Sequence, residues 1–237
     1  MKATPSGNHL IQLTRMGIIN CYLVRESDGF TLIDTGMAGS SKQILSAAQQ
    51  YKLSIVRIVL THAHVDHVGS LDELHAALPE AEVAISTRDA RFLSGDKSLD
   101  DNEPKPLRGG FPICQTRPTR LLTEGDRIGS LEVIASPGHS PGHIALLDSR
   151  DRTLIAGDAF QTLGGVAVAG TIKPLFPLPG WATWHKPTAL ESARKLRALE
   201  PTQLAIGHGR ILVNPLAEMD HAIVVLANEV EKQVAHA

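Results

Sequence analysis

The sequence predicts an α/β fold, and three observations carry that prediction. Short β-branched runs alternate with stretches whose apolar residues recur at helical spacing. Glycines and prolines punctuate the chain where those runs must turn. At 237 residues, 43% of them hydrophobic, the chain is long enough to bury a sizeable core as one large domain. In such folds ligands gather at strand ends, so function is expected in those loops.

The elements follow in order. Strands are expected near 9–14, 18–25 and 30–34, then a helix near 40–51, a strand at 55–60, a helix near 67–78 and a strand at 82–86. In the second helix Val68, Leu71, Leu74 and Leu78 share a face, and Pro79 stops it. Residues 94–119 carry four prolines, several charges and little periodicity, and read as a long surface excursion. Order returns at Leu121 and Leu122, where Glu124-Gly125-Asp126 makes a turn, with strands near 131–135, 144–148 and 153–157. Residues 161–187 are too irregular to form an element. A helix opens at Pro187 with Leu190, Ala193, Leu196 and Leu199 on one face, and a strand follows at 203–206. The last helix begins at Asn214-Pro215, and its apolar stripe (Leu216, Met219, Ile223, Leu226, Val230) reads as an outer layer packed on a sheet. The chain is thus expected to be one domain, 1–237, of two β-rich halves at about 1–93 and 120–237.

Composition narrows the function classes. The 23 Lys+Arg nearly balance the 25 Asp+Glu, for a net charge of −2, so no sequence-wide positive field draws nucleic acid or an anionic membrane. No apolar run reaches the roughly 20 residues of a membrane span. The two cysteines, Cys21 and Cys114, lie outside any metal-type spacing and imply neither a disulfide framework nor a thiolate zinc site. A cytoplasmic monomer or homodimer acting on a small molecule is the expectation. The anomaly is histidine, present 11 times.

Those histidines cluster. Thr61-His62-Ala63-His64-Val65-Asp66-His67 follows the apolar strand 55–60 and precedes a helix. Residues i and i+2 of an extended segment project to one side, so His62 and His64 can grip one ion while Asp66 and His67 turn toward a second. Three more residues of ligand type terminate strands: His139 in Ser136-Pro137-Gly138-His139, Asp158 after Gly157, and His208 after Gly207. Together they supply five His and two Asp, enough for two ions sharing one carboxylate.

In these motifs, together with Leu32-Ile33-Asp34-Thr35-Gly36, the chain resembles the metallo-β-lactamase superfamily, including its glyoxalase II and acyl-homoserine lactonase branches. The resemblance implies a four-layer αβ/βα sandwich. It implies one metal on His62, His64 and His139, a second on Asp66, His67 and His208, and Asp158 bridging both. Asp34 matches an outer aspartate that orients a ligand histidine, and His143 a histidine that supports the site without ligating.

Imidazole and carboxylate ligands without thiolate suit two Zn²⁺ and tolerate Fe or Mn. The expected function is a dinuclear metal-dependent hydrolase. In it a hydroxide held between the ions attacks the carbonyl of a small ester, thioester or lactone, and Asp66 steers the proton to the leaving group. Asp158 argues against a dedicated β-lactamase, in which another residue commonly replaces the bridging carboxylate, and Gln161 stands where many lactonases have Tyr. The alternatives are a mononuclear-iron persulfide dioxygenase of the same superfamily, sharing His62, His64 and His139, and a promiscuous amide hydrolase. The loop from Phe160 to His185 holds Phe160, Gln161, Phe176, Trp181 and Trp184, either as an apolar substrate wall or as packing of the loop onto the sheet. His9, His75, His185, His221 and His236 are expected at the surface or capping helices.

Overall fold

The computed structural model of the protein describes residues 1–235. Two sheets face each other, with helices on both outer faces. The first half supplies seven strands in sequential order: β1 (Lys2–Ser6), β2 (Leu10–Arg15), β3 (Ile19–Arg25), β4 (Phe30–Ile33), β5 (Ile55–Val59), β6 (Glu82–Ser86) and β7 (Arg120–Leu122). Pairing is antiparallel from β1 to β4 and parallel from β4 to β7. The parallel steps need crossovers, which are made by α1 (Ser41–Gln50), by α2 (Val65–Val68) with α3 (Leu71–Ala77), and by α4 (Ala90–Leu93) with the excursion. The second half forms a six-stranded sheet from β8 (Arg127–Ile128), β9 (Leu131–Ala135), β10 (Ile144–Asp148), β11 (Thr153–Ile155), β14 (Gln203–Ala205) and β15 (Leu212–Val213). A small hairpin of β12 (Phe160–Gln161) and β13 (Ala167–Val168) stands apart from it. Over the second sheet lie α6 (Lys186–Ala198) and α7 (Leu216–Ala235), while α5 (Leu178–Ala182) sits in the loop before α6.

Period-2 alternation explains the layers. Leu32 and Ile58 point to the outer face, where they pack with Ile44, Leu71, Leu74 and Phe92 from helices. Their neighbours Ile33 and Val59 point inward and meet Val133, Ile144 and Leu146 of the opposite sheet. On that sheet Ile134, Ala145 and Leu147 point outward to Leu190, Ala193 and Leu196 of α6 and Met219 and Leu226 of α7. The four layers are therefore the expected αβ/βα sandwich. The α7 stripe is an outer layer on the sheet, as its spacing predicts.

Several expectations need correction. The helix predicted near 67–78 is two helices, because Gly69 passes so close to the 36–38 loop that a Cβ there would sit 2.5 Å from Ala38 N. Strand β1 was not expected: its polar sequence forms an edge strand, held by backbone pairing with β2. The irregular 161–187 stretch contains β13 and α5, whose two and five residues are too short for periodicity to reveal. The 94–119 excursion does not stay at the surface, since Phe111 and Cys114 are buried in the first half's outer core. His185 does cap α6, accepting the Thr188 N–H, His221 is exposed, and His9 and His75 are half-buried. His236 lies outside the described residues.

Candidate metal centre

Four loops leave the strands at one rim of the sandwich and converge. The loop after β5 carries His62 and His64, and α2 begins at once, turning Asp66 and His67 inward. The loop after β9 brings His139, that after β11 brings Asp158, and that after β14 brings His208. All but Asp66 are buried.

Their ligand-type atoms form three overlapping groups, each within 4.8 Å: His62, His64 and His139; His62, His67 and Asp158; and Asp66, His67 and His208. Asp158 lies between the outer two. Its Oδ1 is 3.3 Å from His67 Nε2, and its Oδ2 is 3.3 Å from His139 Nε2 and 3.1 Å from His208 Nε2. Asp66 Oδ2 is 3.2 Å from His208 Nε2.

The outward-facing nitrogens of His62, His67, His139 and His208 are already engaged, which fixes those rings. Asp34, in a left-handed turn at φ 60° that Asp tolerates, accepts the Thr61 N–H and the Thr61 hydroxyl, each at 2.8 Å, and faces His67 Nδ1 at 2.8 Å. Because the Thr61 hydroxyl donates to Asp34, it accepts from His62 Nδ1 at 3.0 Å. His139 Nδ1 meets the Thr183 hydroxyl, and His208 Nδ1 donates to the Ile18 carbonyl. Both nitrogens of His143 are taken, Nδ1 by Ser136 and Nε2 by the Asp158 N–H. It therefore braces the bridging carboxylate from behind.

What remains points at the centre. Nε2 of His62, Nε2 of His67 and Oδ1 of Asp158 are buried with no hydrogen-bond partner, and His64 Nδ1 faces His139 Nε2 at 3.0 Å. A buried array of orphaned lone pairs is costly unless something electropositive satisfies it. The donor set of imidazole and carboxylate fits divalent transition metals.

The charge is unevenly distributed. Burial, with repulsion from neighbouring imidazoles, holds His62 well below the ordinary histidine range; burial does the same for His139 and lowers His64 to about 4. Burial would also lower His67 and His208, but Asp158 and the nearby Asp34 and Asp66 overcome it. His67 rises well above its usual value and His208 to about 10. Burial opposes ionisation of Asp66, yet His67 and His208 hold it well below the usual carboxylate range. Beneath the first trio lies Asp89, whose carboxyl is pushed up to about 6 by burial.

Above the centre opens a cavity of about 550 Å³. Its floor includes His64, Asp66, His139, Asp158 and His208, and its walls include Met16, Ile18, Met37, Val65, Phe176 and Trp181. Lys and Arg are absent from the lining among the described residues. Of the residues proposed from sequence as substrate wall, Phe176 and Trp181 line it, and the Phe176 ring sits 5.1 Å from that of His208, tilted by 52°. Phe160, Gln161 and Trp184 do not. Phe160 and Gln161 lie buried in the β12–β13 hairpin, the Phe160 ring in the outer core. Trp184 is buried, and its indole N–H donates to the Pro104 carbonyl, pinning the excursion. Met16 and Ile18, at the β2–β3 turn, and Met37 escaped the sequence reading because nothing local marks a turn as a cavity wall. The excursion also reaches the centre: a Cβ on Gly109, at φ 98°, would overlap His64 Nε2.

Comparison with known proteins decides the family. A profile of the metallo-beta-lactamase superfamily matches residues 14–208, spanning every residue of the centre. The chain belongs to the metallo-beta-lactamase superfamily. Within it, the chain is 51% identical over 207 residues to the uncharacterized protein YobT of Bacillus subtilis, covering 86% of this chain and 89% of YobT. It is 32% identical to the probable metallo-hydrolase YflN of the same organism, over 81% of each. Among solved structures, TTHA1623 in a di-iron-bound form superposes with a TM-score of 0.65 at 29% identity, covering 88% of this chain and 96% of that one. Superfamily membership makes the chain a metallo-hydrolase relative with a metal-binding His/Asp cluster. The expected resemblance holds at that level.

Proposed function

We propose that the protein is a dinuclear metal hydrolase that cleaves a small ester, thioester or lactone bearing an uncharged apolar group. The observation that carries this reading is that two ligand trios meet on Asp158 at the floor of an apolar cavity lined, among the described residues, by no Lys or Arg. His62, His64 and His139 would hold one ion, and Asp66, His67 and His208 the other, with Asp158 between them. Zinc is the first choice on donor chemistry, and the di-iron form of TTHA1623 keeps iron as the alternative. Bound there, such ions supply Lewis acidity and a water acidified toward neutrality.

The chain's own residues do the rest. Asp66 carries the only partly exposed carboxylate of the centre, its side chain 27% exposed, and it faces the cavity. It takes the proton of the attacking water and delivers it to the departing oxygen or sulfur, so that water and substrate become acid and alcohol or thiol. Asp34 keeps His67 oriented through Nδ1. Met16, Met37, Phe176 and Trp181 exclude water and seat the apolar group. A glutathione or coenzyme A moiety, with its carboxylates or phosphates, finds no cation on these walls.

The test is elemental analysis followed by a panel of lactones, esters, thioesters and β-lactams. Two ions per chain and turnover favouring uncharged apolar substrates are expected. Asp66→Asn should lower turnover by roughly a hundredfold even when measured at saturating metal. One iron per chain with oxygen uptake on a persulfide would overturn the hydrolase reading.

A further inference from the structure

We propose that Asp89 is a positioning residue that sets the spacing of the first histidine trio by clamping together the two loops that carry it. The proposal rests on the reading that His62, His64 and His139 hold a metal. Asp89 sits where β6 runs into α4, at the N-cap position, yet its carboxylate makes no capping bond to its own helix. Fully buried, it turns instead toward three donors from elsewhere. Its Oδ2 accepts the Ala63 N–H at 3.1 Å and the Ser140 hydroxyl at 2.7 Å, and its Oδ1 accepts the Gly142 N–H at 2.7 Å.

The identity of those donors is the argument. Ala63 is the residue between His62 and His64, Ser140 directly follows His139, and Gly142 directly precedes His143. One side chain thus joins the loop after β5 in the first sheet to the loop after β9 in the second, at the positions where the trio is mounted. Glycine at 142 is part of the device: a Cβ there would lie 2.5 Å from Asp89 N and 2.6 Å from its Oδ1. A carboxylate is also required. It offers acceptors on both oxygens, whereas an amide would turn donors against donors and leave a buried N–H unpaired. The second trio has no bond to Asp89: His67 hangs from Asp34 and His208 from the Ile18 carbonyl.

The consequence is selective. Asp89→Asn should weaken zinc binding at the first trio by about tenfold or more while leaving the second within about twofold. The measurement is zinc titration of the chelator-stripped chain, with histidine ring resonances reporting which trio fills. Ser140→Ala removes one of the three bonds and should shift the first trio in the same direction by less. It also serves as the test if Asp89→Asn does not fold. Unchanged first-trio affinity in these variants overturns the clamp. So does equal weakening of both trios, which marks a general packing role. If the unaltered protein takes up no zinc at either trio, the metal reading itself has failed and the clamp falls with it.

Discussion

The two trios occupy one centre but are built from different materials. The first, His62, His64 and His139, consists of imidazoles held neutral by burial and oriented by the hydroxyls of Thr61 and Thr183. The second, Asp66, His67 and His208, is surrounded by carboxylates, with Asp34 behind it and Asp158 at its side. Each trio nonetheless draws on both sheets: the first takes His139 from the second half, and the second takes His208 from it. Neither half contains a complete trio. Charge therefore distinguishes the two sites, while the junction of the sheets creates both.

The largest effect should come from breaking what the trios share. Asp158→Ala removes the group facing His67, His139 and His208 and should lower hydrolysis on the order of a thousandfold, about 4 kcal/mol of transition-state stabilisation, with metal content falling below one ion per chain. Turnover within tenfold of the unaltered protein would show that the trios work independently. Next, the contrast can be sharpened from outside. Asp34→Ala strips the partner of His67 and both bonds to Thr61, and should weaken metal at the second trio by roughly 10–100-fold. Thr183→Ala, which removes a neutral hydroxyl from His139, should cost the first trio less than that. Calorimetric zinc titration of both variants orders them, and equal losses would erase the electrostatic distinction.

A smaller effect is expected at the excursion, which touches the first trio through Gly109 and Phe111 on His64. Arg88 ties it down through two bonds to Glu103 at 2.7 and 2.6 Å. Arg88→Ala should cost about 1 kcal/mol, seen as a loss of roughly 2–4 °C in Tm, with the second trio unaffected. The smallest effect concerns sulfur. Burial raises the Cys21 thiol strongly and pushes Cys114 up to about 11, so neither should alkylate in the folded protein, and the Cys21→Ala/Cys114→Ala double variant should keep its full metal content.

Legibility in the sequence followed the range of the interactions. His62, His64, Asp66 and His67 stand within six residues, and strand-end placement marked His139, Asp158 and His208, so the structure's gathering of these seven could be anticipated. The sheets were readable because alternation such as Leu32/Ile33 and Ile144/Ala145 is local. Asp89 was not, since its partners lie 26, 51 and 53 residues away. The two tryptophans show the same limit from the other side: three residues apart in one loop, Trp181 lines the cavity and Trp184 faces Pro104. Only the path of the backbone separates them.

The seat of His208 has one more consequence. Beyond the Ile18 carbonyl, the His208 loop is gripped by Tyr22, whose hydroxyl donates to the Ile206 carbonyl at 2.6 Å and accepts its N–H. The Asn20 amide adds bonds to the Ile206 and Gly209 carbonyls. Residues made before the first trio thus wait for a ligand made after Asp158. A nascent chain that has emerged as far as Asp158 already carries the first trio and the shared carboxylate. Its second trio stays open until the ribosome has delivered residue 208, so the order of translation is written into the order in which the two halves of the centre can close.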